Sequence, residues 1–387
     1  MTDVAVGYLE LGLRLGRHVD GLVDSYYGPA EIKERTDTEE PRDPRSLVED
    51  AARLRESLDG LAEQRRNWLK AQLSGLETFA RKLAGEELSF EDEVERCYGI
   101  RPIRAPESEF EEAHRELDAI LPGNGSLEER YRAWREEDAI PADRLADVVR
   151  QLAEELSTRT ADAVGLPEGE TVEFEYVGDR PWAAFNFYLG GLQSRVSVNT
   201  DLGMTPDFVM HLVAHETYPG HHVEHAWKEQ KLMVERSQVE ESIVLIPTPQ
   251  SIISEGIAEL GMEVALGDAL QELTESFVSG TGVNYDAEVS RRALEARQPL
   301  ARVATNAAFM VHVDGATADE AREYVMQWAL TSERRASSIV NFITDPMWRS
   351  YASTYQDGYD LCNRFVASDT GRFKRLLTEQ LTPAELR

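Results

Sequence analysis

The sequence predicts a mainly α protein in which helices surround a central cleft and one small antiparallel β-sheet lies at its edge. Apolar residues at three- and four-residue spacing recur along most of the 387 residues, the pattern of amphipathic helices. The period drops to two only between Thr171 and Asn199, the pattern of half-buried strands. Directly after that stretch, five of the eight histidines crowd between His211 and His225, which packing alone does not explain.

The first helix is expected over Ala5 to Leu22, with Leu9, Leu11, Leu13, Leu15 and Val19 among polar residues, and a loop of Tyr26, Tyr27, Gly28 and Pro29 ends it. From Leu47 to Ala84 the run Leu54, Leu58, Leu61 resumes as Leu69, Leu73, Leu76, which suits two antiparallel helices or a long bent pair. Leu88 to Cys97, Glu107 to Leu121, Ser126 to Glu137 and Ala142 to Ala163 continue the helical character. The glycine-rich turn after Leu121 lacks the preceding strand and the lysine of a phosphate loop. Thr171 to Val177, Ala183 to Tyr188 and Ser194 to Asn199 are the strands, and a sheet there could offer an edge to an extended peptide or merely support its neighbours. Thr205 followed by Pro206 and Asp207 starts the helix that carries the histidines. Beyond it, Ser251 to Leu273, Asp286 to Ala296, Thr317 to Trp328, Ser332 to Ile343, Met347 to Val366 and Gly371 to Leu381 read as helices. Thr317 with Glu320 supplies a good N-terminal signal, and Trp328, Phe342, Trp348 and Phe365 read as core. A helical N-terminal region, 1–165, and a region holding the histidines, 166–387, are expected to form one compact unit.

Composition narrows the function. With 71 Asp plus Glu against 41 Lys plus Arg, the formal charge is -30, which repels phosphate backbones and anionic membrane surfaces; neither nucleic acid nor membrane is expected as a partner. Cys97 and Cys362 cannot build a disulfide framework and read as small buried hydrophobes. No basic apolar leader and no run of membrane-spanning length is present, so the cytoplasm is expected.

The histidine segment holds the chemistry. His211 and His215 lie four residues apart on one helical face. A zincin helix would place the next histidine four residues after His215, where Pro219 stands. On an unbroken helix His221 would point about 240° away from His215. Pro219 and Gly220 permit a bend that could bring both imidazoles to one ion.

The segment His215, Glu216, Pro219, Gly220, His221, His222 resembles the H-E-x-x-P-G-H-H signature of the bacterial family known as domain of unknown function 885, grouped with zinc metallopeptidases of the gluzincin type. Glu224 stands where glutamine is usual. Glu255 and Gly256 match the family's E-G-W-A-L-Y stretch, whose tryptophan and tyrosine are Ile257 and Leu260 here. Tyr355 and Gly358 match a C-terminal tyrosine and glycine, and Val311 to Thr317 matches a valine-aspartate-glycine stretch loosely. The likeness covers roughly Thr171 to Phe365. It implies a zincin-like metallopeptidase fold, one Zn2+ per chain held by His215, His221 and Glu255, Glu216 as general base, Tyr355 as a donor to the developing oxyanion, and a peptide or related amide as substrate; helices enclosing the cleft would favour small peptides over folded proteins.

Alternatives remain open at several residues. His222 could turn inward instead of His221, depending on the bend. His221, Glu224 and His225 form the inverted motif H-x-x-E-H on uninterrupted helical spacing, or His225 orients a ligand. His211 orients a ligand or is simply packed. Arg195, Arg334 or Arg335 could recognise a terminal carboxylate, and Asn199 could donate to a substrate backbone or shape a turn. Glu235, Glu240 and Glu241 could line an acidic pocket or form a solvated helix face. Two histidines and one carboxylate also suit non-haem iron, and the same fold could hold metal without turnover.

Overall fold

The computed structural model describes residues 2–387 apart from Asp138, Pro181, Leu202 and Asn284, and it is mainly helical. Apolar periodicity becomes two main packed cores and a small third cluster around Leu117, Tyr131 and Ala293. One joins Tyr8, Leu9, Leu11 and Leu15 of the helix Asp3–Gly16 to Leu69, Leu73 and Leu76 of the helix Glu63–Leu83. The larger begins at Phe90 and runs to Leu386, crossing residues 165 and 166 without interruption. Val149, Leu152 and Leu156 of the helix Ala142–Val164 pack in it with Val209, Val213, Ile252 and Ile257 of the site helices. Each fully buried aliphatic side chain contributes about 1.5–3 kcal/mol to holding these helices together.

Two antiparallel helices, Pro44–Glu56 and Glu63–Leu83, fill the Leu47 to Ala84 stretch. Asp43 caps the first through the backbone N–H of Arg45 at 2.8 Å. The first helix stops at Gly16, short of the expected Leu22. Val23–Tyr26 then forms a strand, β1, in place of a plain loop. The partner of β1, Ile243–Leu245, is too short to leave a local signature, and so the pairing is a tertiary choice.

Three strands follow in the chain: β2 (Thr171–Val177), β3 (Ala184–Gly190) and β4 (Gln193–Asn199), with Ile243–Leu245 as β5. The three-stranded sheet has the order β2-β4-β3. It is mixed, correcting the antiparallel expectation: β3 and β4 pair antiparallel across the turn at Gly191 and Leu192, whereas β2 pairs parallel to β4, Phe174 opposite Val196. Alternation along a strand reports which face is buried and is silent on the direction of its neighbour. β4 is the central strand, with Val196 and Val198 fully buried, and β3 contacts β1 and the helices that carry the histidines.

The helix Ala318–Trp328 begins with the expected capping box between Thr317 and Glu320. Trp328 is buried, and Phe342, Trp348 and Phe365 are half-buried against the larger core. Cys97 and Cys362 are free and buried. No helix among the described residues is long and apolar enough to cross a membrane.

Candidate metal centre

Pro206 at the first position opens the helix Pro206–Glu216. Its inner face, Val209, Met210, Leu212, Val213 and Ala214, is buried. The helix ends at Glu216 because Thr217 leaves helical geometry (φ -123°, ψ -86°). The Gly220 N–H returns to the Ala214 carbonyl at 3.0 Å. Gly220 is required by this contact, since a Cβ there would lie 1.9 Å from the His215 carbonyl oxygen. A new helix, His221–Lys228, starts at once. The reversal brings the His215 and His221 rings to 4.7 Å between centroids, perpendicular to one another.

The carboxylate comes from the helix Pro249–Leu266, where Ile252, Ile253, Ile257 and Ala258 are buried around Glu255. This helix crosses the helix Thr354–Val366 at a pair of glycines. A Cβ on Gly256 would meet the Gly358 carbonyl at 2.3 Å, and one on Gly358 would meet the Ile252 carbonyl at 2.4 Å. The glycines therefore let two backbones touch, and that approach carries Tyr351 and Tyr355 to the site. Tyr351 donates to Glu255 Oε1 at 2.6 Å.

His215 Nε2 lies 3.6 Å from Glu255 Oε2, and His221 Nε2 lies 3.8 Å from Glu255 Oε1. Donors bound about 2.0–2.1 Å from a tetrahedral zinc stand roughly 3.4 Å apart, so this trio fits one ion after small adjustments. Glu255 Oε2 is buried without a hydrogen-bond partner, a costly state that a cation would relieve. The remaining ring nitrogens are oriented from behind. His215 Nδ1 faces Glu259 Oε1 at 3.4 Å, and His221 Nδ1 lies 3.2 Å from Ser254 Oγ, which donates to Glu224. A second candidate trio, His211, His215 and Glu259, shares His215. Its His211 and Glu259 side chains are 34% and 25% exposed, and it is the more open of the two.

Electrostatics also favour a cation. Burial raises the Glu255 carboxyl to about 7 and the Glu216 carboxyl above its ordinary value. Burial works against charge on His215, yet Glu259, Glu255 and Glu216 hold its imidazolium up to about 10. Burial lowers His221, helped by His215 and His225. Asp24 of β1, half-buried, is raised to about 7 by burial and by Glu216. Metal has to displace the His215 proton below pH 10 and the Glu255 proton below about pH 7, so zinc affinity is expected to increase with pH. One displaced proton gives roughly tenfold per pH unit. Competition against a chromophoric chelator at pH 6, 7 and 8 measures it, and a flat profile would contradict this charge arrangement.

The other sequence candidates separate clearly. His222 is fully buried and turned away, with Nδ1 2.8 Å from Ser194 Oγ and Nε2 2.7 Å from Glu170 Oε2. Glu224 is occupied by Lys228, Gln250 and Ser254. His225 packs beside Tyr188, its ring centroid 5.1 Å away, and burial lowers its pKa to about 4. Tyr355 keeps 41% of its surface exposed. Burial of its hydroxyl, with Glu255, Glu259, Glu216 and Asp24 nearby, raises its pKa well above the ordinary value. Arg195 lies on the sheet, over Phe187, and Asn199 donates to the carbonyls of Arg180 and Trp182, shaping the loop between them. The acidic trio splits: Glu235 is a surface partner of Lys231, while Glu240 and Glu241 are buried. Arg65 holds Glu240 through two bonds of 2.6 and 2.8 Å, and Gln380 donates to Glu241. These glutamates tie the N-terminal helices to the C-terminal segment. Asp24, Tyr351 and Ser254 carried no spacing signal, whereas Glu259, one helical turn after Glu255, was open to such reasoning.

A cleft of about 1420 Å³ borders the centre and is lined in part by His211 and Glu259. No family model matches the chain, and no curated protein matches it. Solved structures share its fold. One, described as "the putative lipoprotein from Colwellia psychrerythraea", is 16% identical with a TM-score of 0.54 over 88% of this chain; the match spans 65% of that protein's length. Another, described as "a putative lipoprotein of unknown function from Shewanella oneidensis", is 12% identical with a TM-score of 0.52, covering 96% of this chain and 80% of that one. At these identities the likeness extends to the fold alone.

Proposed function

We propose that the protein is a zinc-dependent hydrolase of the metallopeptidase kind, related to the domain of unknown function 885 family and acting on peptide or related amide bonds in small substrates. The observation that carries this reading is the meeting of His215 Nε2, His221 Nε2 and Glu255 within ion-binding distance, with Glu216 next in sequence to the first ligand. A zinc ion held by two imidazoles and a carboxylate lowers the pKa of water and polarises a carbonyl. Glu216 takes a proton from the attacking water as its oxygen bonds to the amide carbon. The same carboxyl returns the proton to the nitrogen as the C–N bond breaks. Tyr355, beside these carboxylates, donates to the developing oxyanion. Helices around the cleft favour short substrates over folded proteins. The cytoplasm is the compartment we assign, where two free thiols are at home; cell fractionation tests it.

Elemental analysis of the native protein beside His215→Ala and His225→Ala tests the site. About one zinc per chain, lost in the first variant and kept in the second, is expected. Loss in the second alone would move the site to His221 and His225. Iron in preference to zinc would redirect the reading to non-haem iron chemistry, for which the same donor set is suited. No metal after reconstitution would overturn the proposal.

A further inference from the structure

The cleft beside the centre mixes five arginines with seven carboxylates among its described lining residues, and three of those arginines stand close to one another. Arg135, Arg297 and Arg335 line it from three helices: Leu127–Glu137, Ala287–Arg297 and Glu333–Thr344. Among the residues whose side chains are described, which leaves out Glu137 and Asp138, none has a carboxylate oxygen within 4.0 Å of these three. Their neighbours Arg291 and Arg302, by contrast, are paired with Glu288, Glu295, Asp357 and Asp360. With 71 acidic residues available, three arginines with no carboxylate partner among the described side chains stand out in one concave place. Arg297 Nη1 donates to the Tyr131 hydroxyl at 3.4 Å, so the cluster is anchored on a buried ring that packs with Leu117, Leu121 and Ala293. Arg335 stands in the first turn of its helix, where the helix dipole adds to the positive potential instead of offsetting it. The Arg335 side chain is exposed, and partial desolvation at the cleft wall, followed by Arg135 and Arg297, presses its guanidinium below its ordinary pKa. Arg297 also acts on His211 and Glu259, which ties the cluster to the metal centre.

We infer that Arg135, Arg297 and Arg335 form a carboxylate-recognition subsite, through which the centre selects short peptides bearing a free C-terminal carboxylate or an acidic side chain. Guanidinium forks match the two oxygens of a carboxylate, and a cleft walled by protein strengthens that match over water. The inference rests on the hydrolase reading for its meaning, although the subsite itself needs no metal.

Calorimetric titration of the Glu216→Gln protein, which would bind without turnover, tests it with tetraalanine, its C-terminal amide, and an amidated tetrapeptide holding one internal glutamate. Tetraalanine is expected to bind at least about tenfold more tightly than its amide, and Arg135→Gln or Arg335→Gln should bring that ratio close to one. Arg335→Lys should restore part of it. Zinc content and thermal midpoint should stay at the parent values in all three, which separates a lost contact from a lost fold. Tight binding of the glutamate-containing amide would assign the subsite to acidic side chains, and weak binding would assign it to the C-terminus. Equal binding of acid and amide, or a preference unmoved by the substitutions, would overturn the subsite while leaving the zinc site standing. Native protein that takes no zinc on reconstitution yet keeps the preference would support the subsite and sink the hydrolase reading alone.

Discussion

Glu216→Gln is expected to keep its zinc, keep its fold and lose about 10²–10⁴-fold in kcat, the range that a positioned general base supplies. The substitution changes charge and hardly changes shape. Glu216 makes no ion pair among the described residues, and its chain is held instead through its neighbours: Asn186 Nδ2 donates to its backbone carbonyl at 2.6 Å. The carboxyl is already raised by burial, so replacing it with a neutral amide removes an unfavourable buried charge, and the thermal midpoint should be unchanged or slightly higher. Steady-state kinetics on a short peptide, alongside zinc content and thermal unfolding, measures all three quantities. A variant that kept its rate would exclude Glu216 as the base, and one that lost zinc would show that it holds the metal.

Gly220→Ala is expected to have the largest structural effect of a single methyl group in the site. Its Cβ would lie 1.9 Å from the His215 carbonyl oxygen, 2.5 Å from the His215 carbonyl carbon and 2.6 Å from the Ala214 carbonyl oxygen. All three are backbone atoms, so no rotamer relieves the overlap. The chain must open the reversal between the two histidine helices, which separates His221 from His215. Overpacking of this kind costs about 1–3 kcal/mol even when side chains give way, and the cost here should reach or exceed the upper end. Zinc content should fall to background and the thermal midpoint should drop by several degrees or more. Gly203→Ala, whose Cβ would approach only Ala139 at 3.9 Å, serves as the control. Full zinc in Gly220→Ala would mean that the bend is not what joins the ligands.

Local pattern carried a good part of this molecule. The paired helices after Asp43, the capped helix after Thr317 and the strands near Thr171 follow from period and turn chemistry, which act within a few residues. Pro219 and Gly220 announced a break, and Glu255 stood out as a carboxylate among isoleucines. The choice between His221 and His222 was not legible, because it depends on Ser194 and Glu170 claiming both nitrogens of His222. The inverted motif around Glu224 had flawless spacing, yet Lys228, Gln250 and Ser254 occupy that carboxylate. Glu240 and Glu241 looked like surface residues because their partners Arg65 and Gln380 lie more than a hundred residues away in the chain.

The sequence by itself determined the mainly helical class, the position of the sheet, and a histidine and glutamate pair followed by an enforced bend, since each depends on interactions along one stretch of chain. Only the tertiary structure decided which donors meet, that Tyr351 holds Glu255 from 96 residues away, that β2 runs parallel to β4, that Asp24 approaches Glu216, and that three arginines share a cleft with His211 and Glu259. The physical reason is the same throughout. Periodicity encodes which face of an element is buried, whereas the partner that covers it is selected by packing and charge compensation among distant residues, exemplified by the two glycines, Gly256 and Gly358, that let two helices touch.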